Sequence, residues 1–263
     1  MIKIALYNKE DECFMEQEDN EHIHHLLFHK YKDGDRIVID TDNPQFLSVK
    51  LDASIEKADV YSIGGRFEFP IPFGEDRMPY PAGAFEGEYH ILDISVQPSE
   101  LWKEERDIST NPLDVRYEST VFPHCKASVE TRDESIFAAR NTIDGLKETC
   151  GHGVWPFTSW GDNEDPDAEI QIDFGRLVVM NKLIINLRSD FPHDNYWKQL
   201  DVIFGNGCTM TLQLNKTGRD QIYDLNGMIA ESVKLCKLIK DEKDPSPFPA
   251  LTHWRVLGKE YLK

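Results

Sequence analysis

Apolar and polar residues alternate with a period of two along much of this 263-residue chain, the pattern of strands that bury one face. In the first part, Ile2–Tyr7, Arg36–Asp40, Phe46–Leu51, Asp59–Ile63, Phe67–Ile71 and Tyr89–Val96 read as strands. They are short, rich in β-branched and aromatic residues, and separated by turn signals such as Asp33-Gly34 and Gly64-Gly65. Their close spacing predicts a small antiparallel β-sandwich over residues 1–98. From Pro98 to about Tyr117 the sequence is charged and follows neither strand nor helix period. It predicts a linker over 99–117, in which propensity permits a short helix around Glu100–Arg106.

Alternation returns over 118–263. Glu169–Phe174, Lys182–Arg188, Gln199–Phe204, Thr209–Leu214, Ser232–Ile239 and Thr252–Leu257 each suit a half-buried strand. Leu200, Val202 and Phe204 fall on one face, Gln199 and Asp201 on the other. Gly205-Asn206-Gly207 between two of these strands predicts a hairpin, since Asn and Gly tolerate positive φ. The fold class expected is all-β, with two β-sandwich domains.

Composition agrees with a folded protein of that size. A hydrophobic content of 40%, with 14 Phe, 9 Tyr and 5 Trp, suffices for two cores. The five cysteines (Cys13, Cys125, Cys150, Cys208 and Cys236) are scattered with no CxxC spacing, so reduced thiols are expected rather than a disulfide framework or a zinc cage. A formal charge of −18 disfavours nucleic acid and anionic membranes as partners but leaves neutral ligands such as sugars unaffected. The start, MIKIALYNKEDEC, lacks a basic segment followed by an apolar run, and no stretch is apolar enough to span a bilayer. A cytoplasmic location is expected for the chain as written; a leader already removed, as in a secreted protein, leaves no trace.

The ordered set FAARNTIDG, Ser159-Trp160, AEIQIDFGR, MNKLIINLR, QLDVIFGNG and THWRVLG resembles the discoidin family, the coagulation factor C-type or galactose-binding-like domains. Asp144-Gly145, Trp160, Asp173-Phe174-Gly175 and Gly258 fill the places of the family's motifs, and the resemblance covers about half the chain. It implies a jelly roll whose loops at one end bind ligands, often sugars in bacterial members. Two departures stand out: no cysteine lies near Gly258 for the disulfide of secreted relatives, and His253 stands where calcium-binding members tend to place Glu. Asp144 and neighbouring carbonyls suit a hard cation, yet calcium needs six or more oxygens and few can be named. Calcium at Asp144 therefore stays an open expectation, with no other cofactor indicated.

The chemistry of a sugar site is an aromatic face for the C–H side of the ring and planar donors and acceptors for its hydroxyls. The loop from Arg188 to Trp197 offers both: Tyr196 and Trp197 (with Phe191) as rings, and Arg188, Asp190, His193 and Asp194 as polar groups. Their bland alternative is an Arg188–Asp190 ion pair, a core Trp197 and simple turn formers. Trp160, within GHGVWPFTSWG, is a further candidate, although the family position is commonly buried. Phe248, held between Pro247 and Pro249, is expected to present a ring in a fixed pose. Residues 130–141 add Arg132, Glu134, Arg140 and Asn141, otherwise read as a solvated charged loop.

The run HIHHLLFHK invites a metal reading. A strand would put His22 and His24 on one face and a helix would pair His25 with His29, but neither pairing comes with a carboxylate identifiable from sequence. Surface or packing histidines are the expectation there. No GxSxG, HExxH, P-loop or dinucleotide motif is present. The function expected is thus non-catalytic binding of a mono- or oligosaccharide. The alternatives are a carbohydrate hydrolase or lyase using loop carboxylates such as Asp190 and Asp194, and a protein-interaction scaffold. The first domain is expected to complete the binding surface or to form the face of a homo-oligomer.

Overall fold

The computed structural model describes residues 1–151, 153–189 and 195–261. It is all-β. The first eight strands are β1 (Ile2–Tyr7), β2 (Cys13–Asp19), β3 (His22–Phe28), β4 (Arg36–Thr41), β5 (Gln45–Lys50), β6 (Ala58–Ser62), β7 (Gly65–Pro70) and β8 (Tyr89–Val96). There follow β9 (Arg106–Asp107), β10 (Val121–Phe122), β11 (His124–Ala127), β12 (Trp160–Gly161), β13 (Ile170–Arg188), β14 (Trp197–Phe204), β15 (Thr209–Gln213), β16 (Gln221–Lys240) and β17 (Ala250–Glu260). No helix among the described residues is long and apolar enough to cross a membrane.

The first sandwich packs a sheet of order β2-β1-β4-β7 against one of order β10-β6-β5-β8-β3. Ile2, Ile4, Leu6, Ile37, Ile39, Phe67 and Phe69 meet Ile23, Leu27, Leu47, Val49, Val60, Leu92 and Ile94 in its core. The six strands read from alternation are all present. β2 and β3 were not legible because both are edge strands: β2 is exposed along most of its length, and β3 carries apolar Leu26 and Phe28 on its outer face.

The predicted linker is not a passive connection. β9 pairs with β17, and Ile108 enters the core of the second sandwich. Leu113, Val115 and Val121 enter the core of the first, and β10 adds a strand to its sheet by pairing with β6. This stretch thus buries apolar side chains on both sides. The helix expected around Glu100–Arg106 is a 3₁₀ turn over Ser99–Lys103. Its Trp102 stacks on Phe46 with ring centroids 4.0 Å apart, and the Arg176 guanidinium lies 4.7 Å from the Tyr61 ring centroid.

In the second sandwich β13 and β16 are long strands that bend and change partners along their length. β13 pairs with β11 and the end of β16, then turns at Gly175 and pairs with β17 and the start of β16. β16 bends at Asn226-Gly227, both at positive φ. The predicted segments Glu169–Phe174 and Lys182–Arg188 thus merge into one bent strand, and Ser232–Ile239 is the second half of another. The predicted hairpin joins β14 and β15, with the Gly207 N–H donating to the Phe204 carbonyl at 2.8 Å. Gly207 alone takes the positive φ there, at 87°.

Two glycines of the discoidin-like motifs have a steric reason. Gly175 sits at φ 65° under the Phe122 ring, which leaves no room for a Cβ, and its N–H donates to Asp173 Oδ1 at 2.9 Å. Gly258 has an ordinary φ, but a Cβ there would overlap the Val179 carbonyl oxygen on the paired β13. Gly258→Ala is accordingly expected to destabilise the protein by about 3 kcal/mol in chemical denaturation, from backbone displacement alone. Gly207→Ala is the control: it meets open space and is expected to cost only about 1 kcal/mol, from its positive φ.

Candidate functional site

The loops at one end of the jelly roll enclose a cleft of about 350 Å³, within the range of small-ligand sites. Its walls are Thr131, Arg132 and Phe137 from one segment, 159–164 from a second, and Phe248, Pro249 and Ala250 leading into β17. The third segment is built by proline. Pro247 and Pro249 each fix their own φ and push the preceding residue into an extended conformation, so the backbone that carries the Phe248 ring is restricted. It remains 47% exposed.

The opposite segments are held in unfavourable backbone conformations. Arg132, Asp133, Asn163 and Glu164 have φ between 50° and 59°, and they are half of the eight non-glycine residues with positive φ among those described. Each such residue costs on the order of 1 kcal/mol, and strain of this kind concentrates where side chains are held for a purpose. Arg132 donates through Nε and Nη2 to Glu134 at 2.6 and 2.8 Å, which leaves Nη1 outside the pair. Its guanidinium lies 5.0 Å from the Phe137 ring centroid. Thr131 Oγ1 donates to the Gly161 carbonyl at 3.1 Å, tying the first two segments together.

Asp162 forms the hinge of the second segment. Its Oδ1 accepts the Glu164 N–H at 3.0 Å and its Oδ2 accepts the Trp197 indole N–H at 2.9 Å. Burial pushes the Asp162 carboxyl above the usual range, opposed by those two N–H groups. Beyond it lies a second hollow of about 470 Å³, which shares Asp162 and Glu164 with the first and is otherwise lined by residues including Lys237, Lys240 and Pro247.

Of the residues singled out in the sequence, Phe248 lines the cleft and Arg188, Trp160 and Trp197 lie behind it. All three of the latter are buried, so their expected contact with a ligand gives way to a supporting role. Arg188 donates to the Phe157 carbonyl at 2.8 Å and to Ser159 Oγ at 3.3 Å. Trp160 donates to the Val129 carbonyl at 2.8 Å, and its ring lies 5.8 Å from that of Trp197. Tyr196 packs half-buried against the core, and its carbonyl accepts the Asp241 N–H. Asp190, His193 and Asp194 lie outside the described residues, as does Phe191. Arg140 and Asn141 are also buried: Arg140 donates to the Asp114 and Pro112 carbonyls and to Asn141 Oδ1, fastening the chain between the sandwiches.

Asp144 opens the Asp-Gly turn, with Gly145 at φ 93°. Burial pushes its carboxyl up to about 7, and Oδ1 accepts the Leu146 N–H at 2.8 Å. No group of three metal-capable side chains among the described residues includes it. A single carboxylate falls well short of the six or more oxygens calcium takes, so the calcium expectation gains no support from these side chains.

Sequence reasoning did not single out Thr131, Asp162, Asn163 and Glu164. The run Asp162-Asn163-Glu164-Asp165-Pro166 carried a readable turn signal directly after Trp160, and it frames the cleft.

No family model matches the chain, and no curated protein sequence does so. Similar solved structures include a chitosan-binding module derived from a chitosanase/glucanase of Paenibacillus sp. IK-5, at 15% identity and TM-score 0.41, covering 57% of this chain and 98% of that one. Another is the family 32 CBM from C. perfringens NanJ in complex with galactose, at 15% identity and TM-score 0.38, covering 51% and 91%. A Streptococcus pneumoniae fucose binding module matches at 19% identity and TM-score 0.36, covering 61% and 94%. These neighbours are carbohydrate-binding modules of the discoidin or galactose-binding-like fold.

Proposed function

We propose that the chain is a carbohydrate-binding protein that holds a mono- or oligosaccharide, without transforming it, in the cleft walled by Phe248 and the 131–137 and 159–164 segments. The observation that carries this reading is the exposed Phe248 ring, flanked by two prolines at the rim of a largely apolar cleft that also carries the polar side chains of Arg132, Asn163 and Glu164. A pyranose has one face of C–H groups and a rim of hydroxyls. The ring suits the first, and the Arg132 guanidinium, the Asn163 amide and the Glu164 carboxylate suit the second. A neutral sugar also meets no repulsion from a protein of formal charge −18.

Binding without turnover is supported by the state of Asp162. A carboxylate pair that hydrolyses glycosides needs one member able to give up a proton and another able to attack or to activate water. Both Asp162 oxygens already accept N–H groups that hold the turn. The second hollow favours ligands of more than one sugar residue, so short oligosaccharides are expected to bind more tightly than their monosaccharides.

Calorimetric titration with a panel of neutral mono- and oligosaccharides, with reducing ends assayed in the same samples, tests the proposal. Saturable heats with no new reducing ends are expected. Release of reducing ends would make the protein an enzyme, and a blank panel would sink the sugar reading.

A further inference from the structure

Away from this cleft, the outer face of the first sandwich gathers three metal-capable side chains that are far apart in sequence. His22 and His24 alternate onto the same face of the edge strand β3, as the period of two requires. In the antiparallel register His24 stands directly opposite Asp93 on β8, and His22 opposite Ser95. Asp93 therefore lies across from one histidine and diagonal to the other, both within side-chain reach. Its Oδ2 receives both rings: His22 Nε2 at 3.1 Å and His24 Nδ1 at 2.8 Å. The ligand atoms of all three lie within 4.8 Å of one another.

We propose that His22, His24 and Asp93 form a binding site for a borderline divalent cation of the zinc class, with at least one coordination position left open. The chemistry of the donors selects the ion. Two imidazoles and one carboxylate match zinc, cobalt or nickel, whereas calcium and magnesium prefer oxygen alone. The geometry is close to what such an ion needs. With bonds of about 2.0–2.1 Å, tetrahedral ligand atoms stand about 3.3 Å apart, so each nitrogen has only to move a few tenths of an ångström from Oδ2, and the two nitrogens, within 4.8 Å of one another, need a side-chain adjustment of about 1.5 Å at most. Each ring now points an N–H at the carboxylate. On binding, that nitrogen gives up its proton and turns its lone pair to the ion, while the other ring nitrogen carries the proton of the neutral imidazole.

Lys57 approaches the other oxygen, Oδ1, at 3.5 Å, which leaves Oδ2 for the ion. The side chains of His22 and His24 are 53% and 60% exposed, so the remaining positions open to water or to a ligand from another molecule. Sequence alone missed the site because the third ligand lies 69 residues beyond His24.

Titration of the 263-residue chain with Co²⁺, read by its visible d–d absorption, and with Zn²⁺ by calorimetry and by displacement of Co²⁺, tests the proposal. One equivalent is expected to bind. His24→Ala and Asp93→Asn should each weaken it at least tenfold, whereas His25→Ala, whose ring contacts Gln17 instead, should leave it unchanged. Both ligand side chains lie on a surface face, and circular dichroism of the variants confirms that they fold. Equal affinity in Asp93→Asn and wild type would overturn the proposal. So would a thiolate-to-cobalt charge-transfer band, which would place the ion on the exposed Cys13, Cys150 or Cys208, or the absence of any uptake.

Discussion

Phe248→Ala is expected to weaken saccharide binding by at least tenfold, and by up to a hundredfold, while leaving the melting temperature within a few degrees of wild type. The ring is a large apolar surface kept in water by the fold, 47% exposed, so its removal leaves no buried cavity and little stability is at stake. What disappears is the platform for the C–H face of the sugar. Stacking and apolar contact of that size contribute roughly 1.5–3 kcal/mol, which is a factor of about ten to a hundred or more in affinity. Phe248→Trp should keep or improve binding, because it preserves a flat face in the same proline clamp. Arg132→Ala should also weaken binding, through lost hydrogen bonds to hydroxyls and through release of the Glu134 side chain it now holds. Isothermal titration with the tightest ligand of the panel measures all three. Undiminished affinity in Phe248→Ala would remove the cleft from the proposal without touching the fold.

The limits of the sequence reading are local and physical. Strands that bury one face and expose the other were legible, such as β14 with Leu200, Val202 and Phe204 buried. Alternation failed where a strand is an edge, as in β2, or where one strand bends and changes partners, as in β13 and β16. At the site, sequence placed Trp197 at the end of a loop, where a ring is available to a ligand. It is instead the first residue of β14, and an irregular pairing with β16 between Trp197 and Gln199 breaks the alternation of Leu200, Val202 and Phe204, so the indole is buried with them. Arg188 was misread likewise: all residues of β13 from Leu183 to Arg188 are buried, whichever face they point to, because the segment around Phe157–Ser159 covers the side that alternation would leave in water. Phe248 was legible because its two prolines fix its backbone without reference to anything else in the fold. Of the residues named from sequence as ligand contacts, Phe248 lines the cleft, whereas the layer at which Arg188 and Trp197 sit depended on a bulge and a covering segment that no local pattern reports.

That difference of layer gives Trp197 the largest expected effect on stability of any residue considered. Trp197→Ala should lower stability by about 4–5 kcal/mol, since the ring is fully enclosed beside Trp160 and its loss opens a cavity in the core. The indole N–H also satisfies Asp162 Oδ2, and an acceptor stripped of its donor in a buried setting adds to the penalty. In a chain of this size the drop corresponds to about 10 °C or more in melting temperature. Trp197→Phe separates the two contributions. It keeps most of the ring volume but donates no hydrogen bond, so a loss of about 1–2 kcal/mol is expected. Asp162, freed from its tether, should let the Asn163-Glu164 turn relax out of its positive φ and weaken saccharide binding several-fold. Were Trp197 itself the surface on which the sugar stacks, the outcome would be the reverse: Trp197→Ala would leave the melting temperature nearly unchanged and Trp197→Phe would bind almost as well as wild type. Thermal denaturation and titration calorimetry on the two variants therefore decide whether the tryptophan supports the cleft from behind or forms its face.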